Sequence, residues 1–151
     1  MRTDTLTSQE QQTLGGATHR VVITHADLTE TTANTAQVLS PLTVGLGSLV
    51  KCVCAIMVDD FEDASDAAFN TTAITAGDGG SANRFLASME LNVNGTEVDF
   101  KAGVDTFYGY VSADTVDVTF NAMSGKALND IDNGEVHLYF AVNQFPTRVL
   151  T

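Results

Sequence analysis

From Arg20 onward the apolar residues come in short runs punctuated by Gly, Asn, Asp and Ser. This punctuation limits what the chain can become. No stretch shows a long amphipathic helical period, and no strand alternates with a helical pattern as a parallel sheet requires. The burial must be done by strands joined through turns. Abundant threonine agrees, because β-branched side chains suit a pleated surface.

Several runs have a readable role. In Arg20 to Leu28 (RVVITHADL), Val21 and Ile23 share a face with His25, and Val22, Thr24 and Ala26 share the other. A Thr/Asn stretch follows, then a strand from Ala36 to Leu42. Pro41 cannot donate to a ladder, so this strand is an edge or ends there. Gly45 and Gly47 mark a turn. Leu49 to Val58 is apolar on both faces apart from Lys51, the pattern of a central strand covered on both sides. Asp59 to Asp66 (DDFEDASD) reads as an acidic loop with one helical turn. Phe69 to Thr75 reads as a short strand, Ala76 to Gly80 as a Gly-rich loop, and Asn83 to Val93 as another strand. Around Asn94-Gly95, apolar and polar residues alternate from Leu91 to Phe100, which predicts a hairpin with a type I′ turn. Thr106 to Val111, Thr115 to Met123 and Glu135 to Asn143 supply further strands. A single helical turn over Lys126 to Asp132 precedes the Asn133-Gly134 turn. In the last strand Val136, Leu138, Phe140 and Val142 alternate with His137, Tyr139 and Ala141, so one face is inward.

This makes about eight strands, with turn signals at intervals of roughly 8 to 15 residues, the spacing of a sandwich or closed barrel. The predicted fold is all-β, an antiparallel β-sandwich of jelly-roll-like type over residues 19–151. A chain of 151 residues is long enough for one such domain and a real core. Ahead of it, residues 1–18 (MRTDTLTSQEQQTLGGAT) form a polar N-terminal arm. Ser8 and Gln11 have capping-box spacing for a short helix, and Gly15-Gly16 supplies a hinge. Leu6 and Leu14 are its few apolar anchors. So little apolar surface predicts that the arm does not order itself and waits for a partner.

Charge excludes some functions. The formal net charge is −12, and the seven Lys and Arg residues are scattered with no two adjacent. Nucleic-acid binding needs a basic footprint, and anionic membranes would repel the chain. No run approaches the roughly 18 apolar residues of a membrane helix, and no apolar signal-peptide core opens the sequence. The two cysteines, Cys52 and Cys54, stand two apart in an apolar run. On a regular strand they share a face, and a disulfide between them would strain the backbone, so buried free thiols are expected. C-x-C lacks the second ligand pair of a zinc site.

No catalytic constellation emerges. The carboxylates Asp59, Asp60, Glu62, Asp63 and Asp66 fit no EF-hand, and in Asn129 to Glu135 (NDIDNGE) Ile131 falls where an oxygen ligand is required. The stretch Gly77 to Arg84 (GDGGSANR) lacks the Gly-Lys-Ser/Thr ending of a phosphate loop and reads as a flexible surface loop. His25 and His137 would meet only if the terminal strands pair, and a metal would need a further ligand. There is no G-x-S-x-G, and no Ser, His and Asp fall in a recognisable triad order. No cofactor, metal or small-molecule substrate is expected.

The segments ITAGDGGSANRF, LNVNGTEVDFKAG, DTVDVTFNAMSGKAL and GEVHLYFAV, between Ile74 and Val142, resemble small virion proteins of tailed bacteriophages. An acidic β-sandwich behind a polar arm is similar, more narrowly, to capsid decoration (cement) proteins. That resemblance implies no enzyme activity, a place on the capsid exterior, the major capsid protein as partner, a homotrimer, and synthesis in the host cytoplasm. It transfers no individual residue. The contact residues expected from arm and loops are Thr3, Thr5, Leu6, Gln11, Gln12, Leu14, Asp59, Asp60, Asp78 and Arg84. The other readings are a tail or neck component, or a carbohydrate-binding sandwich, for which Phe107, Tyr108 and Tyr110 are the one aromatic cluster.

Overall fold

In the computed structural model, residues 1–66, 72–92 and 100–145 are described. They form ten strands: β1 (Arg2–Thr5), β2 (His19–Thr24), β3 (Gln37–Val44), β4 (Ser48–Glu62), β5 (Ala73–Asp78), β6 (Ser81–Glu90), β7 (Phe100–Ala102), β8 (Tyr108–Gly109), β9 (Asp114–Phe120) and β10 (Asn133–Gln144). The only α-helix among the described residues is α1 (Ser8–Thr13). The Asn94-Gly95 hairpin lies outside the described residues.

Every pairing is antiparallel. One sheet runs β1-β2-β10-β4-β7, with β8 also on β4, and the other runs β3-β9-β5-β6. The two inner faces close on one core, as expected of an all-β sandwich. Phe61 from the first sheet meets Phe120 from the second at 5.4 Å between ring centroids. Phe140 meets Phe85 edge-on at 6.5 Å. Strand β10 alternates as its sequence demands: Val136, Leu138 and Phe140 are fully buried in this core. β3 is an edge strand, the position Pro41 requires.

Several expectations change. The acidic segment does not begin as a loop: β4 runs on to Glu62, paired with Asn133 of β10. The cause is Phe61, whose ring is fully buried and whose amide donates to the Leu91 carbonyl at 2.7 Å. Gly134 makes room for that ring. A Cβ there would stand 2.5 Å from it, and the backbone φ is 133°.

The second change concerns the cysteines. Tyr139 pairs with Cys54 and Phe140 with Cys52, so Val53 is an extra residue on β4. Such a bulge reverses the side-chain alternation. Cys52 therefore enters the main core, and Cys54 joins a second cluster on the outer face of the same sheet. Both are free thiols, and burial pushes both up in pKa.

The third change is the arm. Residues 1–18, expected to wait for a partner, pair with and pack against their own sheet. β1 adds to β2 with Arg2 opposite Val22 and Thr5 opposite His19. Helix α1 then crosses back, capped by Thr7 and Glu10 instead of the expected Ser8 and Gln11: the Thr7 amide donates to Glu10 Oε2 at 2.8 Å. Leu6 and Ala17 are buried against Cys54 and Tyr139, with Leu14, Val53 and Ile56 packed around them. Edge pairing satisfies the backbone of a segment too polar to form a core of its own.

Candidate functional site

The two sheets are tied together along both sides of the sandwich. On one side the edge strands β1 and β3 meet: the Thr3 hydroxyl donates to the Pro41 carbonyl at 3.1 Å. On the other side lies a denser joint built from the Gly-rich stretch. Asp78 ends β5, Gly79 and Gly80 turn the chain, and Ser81 opens β6 opposite Asp78. This tight hairpin replaces the flexible loop expected over Gly77 to Arg84. Gly77 is required there, because a Cβ would fall 1.9 Å from the Ser81 carbonyl oxygen.

Asp78 is buried and fully engaged. Its Oδ1 accepts from the amides of Gly80 at 3.0 Å and Ser81 at 2.9 Å. Its Oδ2 accepts from Arg84 Nε at 2.6 Å and from the Tyr110 hydroxyl at 3.0 Å. Burial would raise the Asp78 carboxyl. The bonds from Arg84, Tyr110 and the turn amides outweigh it and hold the group below the usual carboxylate range. Tyr110 moves upward, first from burial and then from its bond to Asp78. The Arg84 guanidinium also lies over the Tyr108 ring at 3.7 Å, and Tyr108 meets Tyr110 edge-on. Nearby, Lys51 bonds Asp105 at 2.8 Å and lies over the Phe107 ring.

This arrangement shapes a surface; it offers no reactive group. The carboxylate is saturated with donors and the cation is paired. In the aromatic cluster Tyr110 is buried, Arg84 lies over the Tyr108 ring and Lys51 over the Phe107 ring.

The expected contact residues separate into two kinds. Asp78 and Arg84 belong to the joint. Leu6 and Leu14 pack on the chain's own sheet, and Gln11 Nε2 donates to the Leu6 carbonyl at 2.8 Å. Thr3, Thr5, Gln12 and Asp59 are exposed, and Asp60 is half-buried. The end of the sandwich holding Asp59 is strongly acidic. Asp63 accepts from the Ser65 amide and hydroxyl, Asp132 accepts from the Ala64 amide, and Lys126 pairs with Asp66. His137 bonds Glu135 at 2.6 Å, and His25 lies in a 3₁₀ turn after β2. Among the described residues no three His, Cys, Asp or Glu side chains converge as a metal site, and no helix is long and apolar enough to cross a membrane.

Sequence reasoning missed Tyr110 as the partner of Asp78, and it missed three exposed apolar side chains at the end opposite the acidic one: Leu46, Val111 and Phe145. The signal for the latter was available. Each is a lone large apolar residue in a turn or at a strand end, where burial is not needed for folding.

No protein-family model matches the chain, and no curated protein matches it in sequence. Among solved structures, a chain of the capsid asymmetric unit of cyanophage Pam1 has the same architecture. The two align with a TM-score of 0.54 at 16% identity, over 84% of this chain and 82% of that one. The likeness is one of fold.

Proposed function

We propose that this chain is a non-enzymatic structural protein of a phage virion, bound to the outer surface of an icosahedral capsid, where it reinforces contacts between major capsid subunits. The observation that carries the reading is the architecture shared, over most of both chains, with a chain from a cyanophage capsid asymmetric unit. The phage-like segments between Ile74 and Val142 support it independently. So does the charge: Arg2, Arg20, Lys51, Arg84 and Lys126 each sit against a carboxylate, which leaves them poorly placed to grip nucleic-acid phosphates.

Reinforcement needs many modest contacts acting together. A trimer placed where several subunits meet engages each of them, and the second and third contacts form at high effective concentration. The proposed contact face consists of the exposed arm residues Thr3, Thr5 and Gln12 together with Asp59 and Asp60 at the acidic end. Leu6, Gln11 and Leu14 hold the arm part of that face in shape, while Asp78 and Arg84 belong to the joint on the other side of the sandwich. Contacts made by the acidic end are to basic capsid surface, so they weaken with salt.

The test adds purified protein to undecorated particles and measures occupancy by cryo-electron microscopy. Density at fixed positions on the shell exterior is expected. Replacing Asp59 and Asp60 together by Lys should weaken binding at least ten-fold, or about 1.4 kcal/mol. Density confined to the tail or neck would move the protein to that part of the virion. Absence from the particle would sink the reading.

A further inference from the structure

We propose that His19 is a pH-sensitive latch for the N-terminal arm: its neutral ring holds the arm on the sheet, and its protonation releases the arm about Gly15 and Gly16. The arm joins the sandwich at Thr18. The Thr18 amide donates to the Phe140 carbonyl at 2.8 Å, and the Thr18 carbonyl accepts from the Leu6 amide at 2.8 Å. The Thr18 hydroxyl oxygen accepts from the Val142 amide at 2.8 Å. Its own proton then has three acceptors within reach: His19 Nδ1 at 2.8 Å, the Phe140 carbonyl at 3.3 Å and the Val142 carbonyl at 3.4 Å. The imidazole nitrogen is the nearest, so the neutral ring accepts at Nδ1. Just ahead of this root, Gly15 and Gly16 hold φ angles of 64° and 82°. The buried side chains of the arm belong to the small outer cluster, and none enters the main core.

Protonation reverses what the ring can do. An imidazolium donates from both nitrogens and accepts from neither. Nδ1 then donates to the Thr18 hydroxyl, whose proton is turned toward the Phe140 and Val142 carbonyls. Those bonds are longer, and the Phe140 carbonyl already accepts from the Thr18 amide. The new charge also lacks a counterion. Thr5 of β1 and Phe140 of β10 stand opposite His19. Asp4 of β1 is bonded to Arg2 and Arg20, and Arg20, the next residue along β2, points to the other face of the sheet. Tyr139 pairs with Arg20 on that face, Glu10 of α1 is bonded to Thr7, and β3 carries no titratable residue. Burial is the cause acting on the half-buried His19 ring, and it lowers the pKa. Once Thr5 leaves, the β2 edge opens to water and the charged ring is hydrated. The closed chain thus binds fewer protons at His19 than the open one, so closure is complete above about pH 6.5 and weakens as pH falls below it. The arm yields first, because its opening breaks few buried contacts and costs less than global unfolding. At His137, by contrast, Glu135 stands at 2.6 Å, so a protonated ring keeps a partner. The inference concerns the free protein and does not rest on the capsid reading.

The experiment is hydrogen exchange of the full chain, read by mass spectrometry at about pH 7.5 and about pH 5.5 and corrected for the intrinsic pH dependence of exchange. Peptides covering β1, α1 and β2 should show an opening constant larger by at least about three-fold at the lower pH, while β9 in the main core keeps its protection. His19→Asn keeps an acceptor for the Thr18 hydroxyl and does not titrate, so its arm should stay closed at both pH values. Thr18→Val breaks the latch without touching the ring, so its arm should open at both. His25→Asn and His137→Asn should behave as the unaltered chain does. Arm protection that ignores pH in the unaltered chain overturns the inference. So does a pH response that persists in His19→Asn, that vanishes in His25→Asn or His137→Asn, or that spreads equally to β9. An arm that stays closed at the higher pH in Thr18→Val overturns it as well.

Discussion

The hydroxyl of Tyr110 donates to Oδ2 of Asp78 across 3.0 Å and so joins the two sheets of the sandwich. Asp78 ends a strand of one sheet, while Tyr110 follows β8 of the other and donates its own amide to the Ser48 carbonyl of β4 at 2.9 Å. The bond is buried, and the carboxylate accepts from three further donors. Breaking it leaves charge or donors unpaired in a desolvated place, which costs more than the bond itself contributes.

Replacing Asp78 by Ala should therefore lower stability by about 2–4 kcal/mol. Tyr110→Phe removes one donor and keeps the Arg84 pair, so about 1–2 kcal/mol is expected. Chemical denaturation at neutral pH measures both. A loss under about 0.5 kcal/mol for Asp78→Ala would mean that the joint is not closed in solution.

The same joint sets a pH window. Asp78 titrates lower in the folded chain than in the unfolded one, so its contribution is complete above about pH 4 and fades as pH falls through the folded value. Tyr110 is shifted upward. Between the unfolded value near pH 10 and its higher folded value, the folded state holds more protons, so stability falls as pH rises there. Melting temperature against pH should decline on both flanks. The acid decline should shrink in Asp78→Asn and the alkaline decline in Tyr110→Phe. Unchanged flanks in both variants would remove the joint as their cause.

Phe61 and Gly134 make a second testable pair. Phe61→Ala should cost about 3–5 kcal/mol, as should Phe140→Ala on the neighbouring strand. Gly134→Ala should also destabilise, because its Cβ would enter the Phe61 ring and its φ of 133° disfavours a side chain. Adding Gly134→Ala to Phe61→Ala should cost less than adding it to the wild type, since the clash is gone. Strict additivity in urea denaturation would show that the two residues do not touch.

These residues also show where the sequence could be read and where it could not. β10 was legible because Val136, Leu138 and Phe140 keep a strict period of two, and β3 because Pro41 demands an edge. Phe61 was not, because four acidic neighbours hide one inward ring. A bulge leaves no local mark, so nothing near Val53 announced that Cys52 and Cys54 would part. Strand β1 (Arg2–Thr5) is polar and pairs only because β2 offers it an edge. Asp78 and Arg84 were picked out from their own turn, but the third partner, Tyr110, lies 32 residues beyond Asp78. Local pattern carries no information about such a meeting.

The split of the cysteines predicts unequal thiols. In the folded chain neither should react with a bulky reagent, since both are buried. Leu6→Ala thins the cover over Cys54 but not over Cys52, which sits in the main core. Labelling followed by mass spectrometry should place the first adduct on Cys54. Equal labelling of both, or a first adduct on Cys52, would contradict the bulge at Val53.

The arm itself supplies the last prediction. Because Leu6 and Ala17 are buried on the outer face of the first sheet, removing Met1 to Ala17 should destabilise the domain without unfolding it. Burial of a leucine contributes about 1.5–3 kcal/mol, and the lost ladder to β2 adds to this. A total of about 2–4 kcal/mol corresponds to a melting temperature lower by roughly 5–15 °C for a domain of this size. The main core, with Phe61, Phe120 and Phe140, draws no residue from the arm, so the truncated chain should keep its β-rich circular dichroism and a cooperative transition. Cys54 and Tyr139 should become accessible. A melting temperature equal to that of the full chain would show that the arm is not held to the sheet in solution. Its order would then have to come from a partner, as the polar composition alone suggests.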